Sequence, residues 1–177
     1  MEKEDKYPLF MPPGDLVNTG RENWNAKEAA SYQDWLLGVF PKRVNELLLR
    51  FEEPRGAKPS EHLMALGEKV ERLLKEAPFS EESSTGKRLT NLGYALAADM
   101  GLLVADYLLK ALPDNLSWKI IRKPKSELSY NLPVLEGFSF NYLEPIGGSV
   151  AEAFGILRGN KSADIWKNSY EFWVKNI

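Results

Sequence analysis

Between Lys87 and Leu112 the chain carries an apolar run that leaves few folds open to it. Leu89, Leu92, Leu96, Met100, Leu103 and Tyr107 recur every three or four residues, the period of one helix face. The other faces are apolar too, with Tyr94, Leu102, Val104, Leu108 and Leu109. A helix that is hydrophobic all round is either the buried centre of a globular domain or a membrane span. Gly93, Ala97, Gly101 and Ala105 add a ridge of small residues at four-residue intervals, which lets a neighbouring helix approach closely. Asp99 and Asp106 decide between the two settings, because each costs ~2.5–3.5 kcal/mol at a bilayer centre. The run therefore predicts a central helix in a globular fold, around which the other elements assemble.

Composition bounds what that fold can do. At 177 residues, 44% of them hydrophobic and 27% charged, the chain is long enough and apolar enough for one domain with its own core. Zero cysteines exclude disulfides, thiolate zinc sites and iron–sulfur clusters. A single histidine, His62, excludes a multi-histidine metal centre and leaves little for conventional acid–base catalysis, so no catalytic residue, cofactor or metal is expected. It is expected in the first turn of its helix, half exposed. The formal charge of −2 argues against a nucleic-acid partner. The one basic excess, Lys119, Arg122, Lys123 and Lys125, reads as the solvated tip of a hairpin. Behind the charged start Met1–Lys6, the apolar Leu9-Phe10-Met11 is cut off by Pro12-Pro13-Gly14, so no secretory signal is read and the expected location is the cytoplasm.

The rest of the chain reads as α+β: a helical N-terminal part around the buried central helix, a small antiparallel three-stranded sheet, and two C-terminal helices. Residues 1–24 form an irregular arm packed on the body, and residues 25–177 a single domain. Asn25 with Glu28 is a capping box for a helix from Ala26. Gly38 and Pro41 should interrupt it before it resumes through Val44, Leu47 and Phe51 to an end near Pro54-Arg55-Gly56. Ser60 is expected to cap a second helix, and Ser80–Gly86 reads as a polar linker or frayed first turn. Strands are expected over Leu116–Lys123, Leu128–Leu135 and the alternating Phe138, Phe140 and Tyr142. Ser149 with Glu152 reads as a second capping box, and Ser162 as the cap of the last helix.

Few constellations carry chemistry. Thr85-Gly86-Lys87-Arg88 lacks the upstream glycine and the hydroxyl residue of a phosphate loop. Gly147-Gly148-Ser149 resembles a nucleophile elbow without its histidine, since nothing after His62 can serve as base. What remains is a candidate ligand site made of Asp99, Asp106, Gly147, Gly148 and Ser149. The two aspartates, seven residues apart, fall on nearly one helix face and suit a cation or basic ligand. The two glycines at a helix start suit an anion. The competing structural reading pairs Asp106 with Lys110, and Asp99 with an arginine, a tyrosine hydroxyl or a tryptophan N–H. Trp166, Tyr170 and Trp173 share a face of the last helix, as core or as contact surface.

The run Leu92-Gly93-Tyr94-Ala95-Leu96 on a long apolar helix, followed by Leu116-Ser117-Trp118 on the next strand, is similar to a pattern in uncharacterised bacterial α+β families. Some of those are regarded as immunity or accessory proteins of toxin systems. Asn131-Leu132-Pro133-Val134-Leu135, the aromatic third strand and Gly155-Ile156-Leu157-Arg158-Gly159 extend the likeness over Leu89 to Trp173, and Ala97 departs from it where a second glycine would stand. These are packing motifs, so the resemblance implies a fold and transfers no functional residue. It makes a non-catalytic protein-binding module, immunity or accessory in role, the leading expectation. The alternative is a small-ligand-binding protein or enzyme built on Asp99, Asp106 and the Gly147–Ser149 turn.

Overall fold

Twenty-one residues, Asn91–Ala111, form one helix, and the other elements are arranged around it. The computed structural model describes residues 7–52 and 58–177. The charged start Met1–Lys6 and the expected helix end near Pro54-Arg55-Gly56 lie outside the described residues. In chain order the α-helices are α1 (Gly14–Val17), α2 (Ala26–Arg50), α3 (Pro59–Leu74), α4 (Asn91–Ala111), α5 (Pro145–Leu157) and α6 (Ile165–Val174). The strands are β1 (Ser80–Ser83), β2 (Gly86–Leu89), β3 (Ser117–Ile120) and β4 (Pro133–Glu136). The class is mixed α+β.

α4 packs against α5, α6, α2 and α3, so most of its apolar surface meets protein, Tyr94 remaining exposed. It is long and apolar enough to cross a bilayer by length and composition, yet most of it is buried inside the fold. Every residue from Ala95 to Ala105 is buried, and the core of leucines, Met100 and Trp166 is built on it. The small-residue ridge explains the close fit. A side-chain carbon at Gly101 would overlap the Pro145 carbonyl and the Ser149 side chain, and one at Gly93 would overlap the Phe79 carbonyl. Thr90 caps α4, accepting from the Gly93 N–H at 3.3 Å; Lys87–Leu89, expected inside this helix, belong to β2 instead.

Several local expectations are corrected. α2 runs unbroken from its Asn25–Glu28 capping box through Pro41. Pro41 is exposed at the edge of the buried face, so the carbonyl it frees can be hydrated, while Leu36, Phe40, Val44 and Leu47 continue one buried stripe. Ser80–Gly86 is not a linker: β1 and β2 pair antiparallel, Ser80 with Leu89 through Ser83 with Gly86. Both faces of this hairpin are largely solvated, so no apolar alternation marks it. Glu81 with Arg88 at 2.7 Å supplies the cross-strand pairing, and Gly86 supplies the positive φ of 105° at the turn.

The three-stranded sheet is replaced by a second two-stranded ladder, β3 with β4, Ser117 opposite Glu136 through Ile120 opposite Pro133. The stretch Phe138–Tyr142 does not join it. Gly137, at φ 117°, turns the chain away, and only Leu143 returns to touch Leu135 in an isolated bridge. The alternation of Phe138 and Phe140 reflects packing on α6, and the Ser139 N–H donates to the Asn176 carbonyl at 2.8 Å.

Helix starts differ as well. Lys58 precedes α3, with Pro59 in its first turn, and Ser60 caps nothing. Ser162 donates to the Asp164 carboxylate at 2.7 Å and does not cap α6. His62 is buried, not half exposed, and its Nδ1 is hydrogen-bonded to the Tyr107 hydroxyl.

Candidate functional site

Asp99 lies in mid-helix, 1% exposed, where a carboxylate needs partners. Arg43 of α2 supplies a two-pronged grip, Nε to Oδ1 at 2.5 Å and a terminal nitrogen to Oδ2 at 2.8 Å. The Tyr7 hydroxyl donates to Oδ2 at 2.5 Å. Burial pushes the Asp99 pKa up, and Arg43 and Tyr7 draw it back down. Arg43 also donates to the carbonyls of Leu9 at 2.9 Å and Pro8 at 3.1 Å, and stacks over the Phe10 ring. The cluster thus binds the N-terminal arm to α2 and α4. Its donors and acceptors are spent on one another, so the arginine and tyrosine of the structural reading occupy the place of a ligand.

Asp106 sits two helical turns further on, about 10 Å along the axis, and pairs with Lys110 at 2.5 Å. It lines a surface groove with Pro41 and Val44, on a part of the molecule that Asp99 does not share. The two aspartates form no joint site.

Gly147 and Gly148 stand inside the first turn of α5, because that helix begins at Pro145 and is capped by Glu144. The Glu144 carboxylate accepts from the N–H groups of Ile146 at 3.0 Å and Gly147 at 2.6 Å. Burial raises the Glu144 pKa, and these backbone bonds oppose the shift. The seat expected for an anion is filled by the chain's own carboxylate.

Ser149 is therefore no cap. Its hydroxyl donates to the Ala97 carbonyl at 2.5 Å and accepts from the Trp166 indole N–H at 2.7 Å, joining α5 to α4 and α6. In front of this junction, between the three helices, lies a cleft of about 230 Å³. Gly101 and Gly148 line it together with Ser149, Trp166, Trp173 and Glu152. Of the five residues named from the sequence, this cleft gathers Gly148 and Ser149, and not Asp99, Asp106 or Gly147.

Trp173 continues outward from the cleft into an aromatic cluster. Its ring lies 4.5 Å from Phe138, 5.4 Å from Phe172, and 5.8 Å from Phe140 in a stacked pair inclined by 5°. Phe140 and Phe172 are 58% and 49% exposed. Sequence reading missed Arg43 and Glu144 as partners and placed Phe140 in a strand. Arg43 had a detectable signal: it interrupts the buried stripe Leu36, Phe40, Val44, Leu47 at a core-facing position.

Among the described residues no group of three acidic or histidine side chains is arranged to hold a metal ion. No family model matches the chain, and no curated protein and no solved structure matches it.

Proposed function

We propose that this protein is a non-catalytic protein-binding module whose contact surface is the aromatic cluster of Phe138, Phe140, Phe172 and Trp173. The observation that carries the reading is the exposure of Phe140 and Phe172 within a packed group of rings. Aromatic side chains are enriched at interface cores, and contiguous exposed ones mark interaction sites. The adjoining cleft offers a concavity for an anchoring side chain of the partner. An immunity or accessory role in a bacterial toxin system, exercised in the cytoplasm, is the form suggested by the pattern from Leu89 to Trp173.

Affinity capture from the native host, with the wild-type chain and with Phe140→Ser/Phe172→Ser, tests this. A stoichiometric partner retained by the wild type and lost by the folded double variant is expected. A partner held equally by both, or none held by either, removes the reading. A second reading, a small-ligand-binding protein, is favoured by the cleft itself. It centres on Gly148 and Ser149 and leaves Asp99 and Asp106 to the scaffold.

A further inference from the structure

The cleft between α4, α5 and α6 has a lopsided set of polar groups. Glu152 is its one charged lining residue, and the lining contains no lysine, arginine or histidine. The Ser149 hydroxyl already donates a hydrogen bond to the Ala97 carbonyl and accepts one from the Trp166 N–H. The Trp166 N–H is spent in the same exchange. The walls are otherwise mostly apolar, with Val104, Leu143 and Trp173 around a buried Trp166, and Ser169 adds one hydroxyl. Such a cavity offers a carboxylate, a hydroxyl and the Trp173 ring but no cationic donor, which disfavours an anion and suits a cation on an apolar stem.

One further contact shows what the carboxylate takes. Lys161, from the turn after α5, places its ammonium 3.4 Å from the Glu152 carboxylate, and the two side chains are 50% and 36% exposed. A half-exposed pair at that length is weakly held and readily exchanged.

We propose that the cleft receives a lysine side chain from the partner, its ammonium on Glu152 and its methylene stem against Trp173, in place of Lys161. This rests on the protein-binding reading and commits it to a partner with an exposed lysine set in an apolar surround. Charge complementarity and continuity with the aromatic cluster through Trp173 select that occupant.

The test uses the full chain and no partner. Nα-acetyl-lysine methylamide is titrated while the indole N–H resonances are followed, with the norleucine analogue as the matched uncharged probe. Saturable binding of the lysine probe is expected, with shifts at Trp166 and Trp173. Glu152→Gln should weaken it by about two- to fivefold, the scale of one half-exposed charge contact. Lys161→Met should strengthen it by freeing the carboxylate. Both positions are partly exposed, so an unchanged thermal midpoint verifies the fold. Absence of saturable binding, equal binding of the norleucine probe, or an unaffected Glu152→Gln variant overturns the proposal. A small alkylammonium ion that binds while the lysine probe does not overturns it too, in favour of a free amine ligand. Loss of partner capture in Phe140→Ser/Phe172→Ser is read separately, so the cleft and the surface can fail independently.

Discussion

Arg43 holds four acceptors at once: both oxygens of Asp99 and the carbonyls of Pro8 and Leu9. Arg43→Met would leave Asp99 buried without its cation. The Asp99 pKa already lies above its ordinary value of 3.8 because of burial, and Arg43 opposes that shift. Removing Arg43 lifts the native value further, while the unfolded value stays put. The variant's native state then holds a proton over a wider pH range than the wild type's, so the ionisation part of the loss is absent at low pH, where both are protonated, and grows by ~1.4 kcal/mol per pH unit between the wild-type and variant native values. Urea unfolding of this variant should show a loss of ~3–5 kcal/mol at neutral pH, smaller at pH 5. Arg43→Met/Asp99→Leu should recover most of that loss, since replacing both members of a buried pair is far gentler than removing one. The amides of Leu9 and Phe10 should still exchange hydrogen faster than in the wild type, because the clamp on their segment is gone.

Among the elements, the close approach of α4 and α5 depends on Gly101. Gly101→Ala should cost ~1–3 kcal/mol, because a backbone carbonyl cannot yield as a flexible side chain does. Gly148→Ala, on the same helix pair but with open space around it, should be neutral or stabilising by ~0.4–1 kcal/mol. Chemical denaturation of the two variants side by side checks the contrast. These helices were legible because burial on one face, or on all faces, leaves a period of three and four in the residues. The β1–β2 hairpin was illegible for the converse reason, as Ser80–Ser83 and Gly86–Leu89 are mostly solvated and carry charge on both faces. Phe138 and Phe140 misled because a stretch packed against a helix can alternate as a strand does. The one local sign that α5 starts four residues before Ser149 is Pro145 at its first position. Asx and hydroxyl caps are familiar patterns, whereas a half-buried glutamate bent onto its own helix is decided by tertiary packing.

At the scale of the whole molecule, the central position of α4 was readable from composition around the helix, but the division of the surface was not. Asp99 and Asp106 share a helix face in sequence, yet packing commits one to the core and the other to a surface groove. The exposed rings gather from two distant segments, 138–140 and 172–173, which no local pattern links. Phe140→Ser/Phe172→Ser should lower unfolding free energy by ~1–3 kcal/mol and leave the fold intact, as each ring is about half exposed and loses its contacts with Trp173. Retention on a hydrophobic column should fall markedly, and unaltered retention would mean that the rings are not the dominant apolar surface.

Arg43 grips the N-terminal arm by its main-chain oxygens, and a carbonyl is the same at every residue. Pro8 and Leu9 are therefore free to drift over generations while the arm stays seated, provided that Tyr7, Arg43 and Asp99 persist. The lineage of this protein should carry its arm as a constant shape written in a changing text.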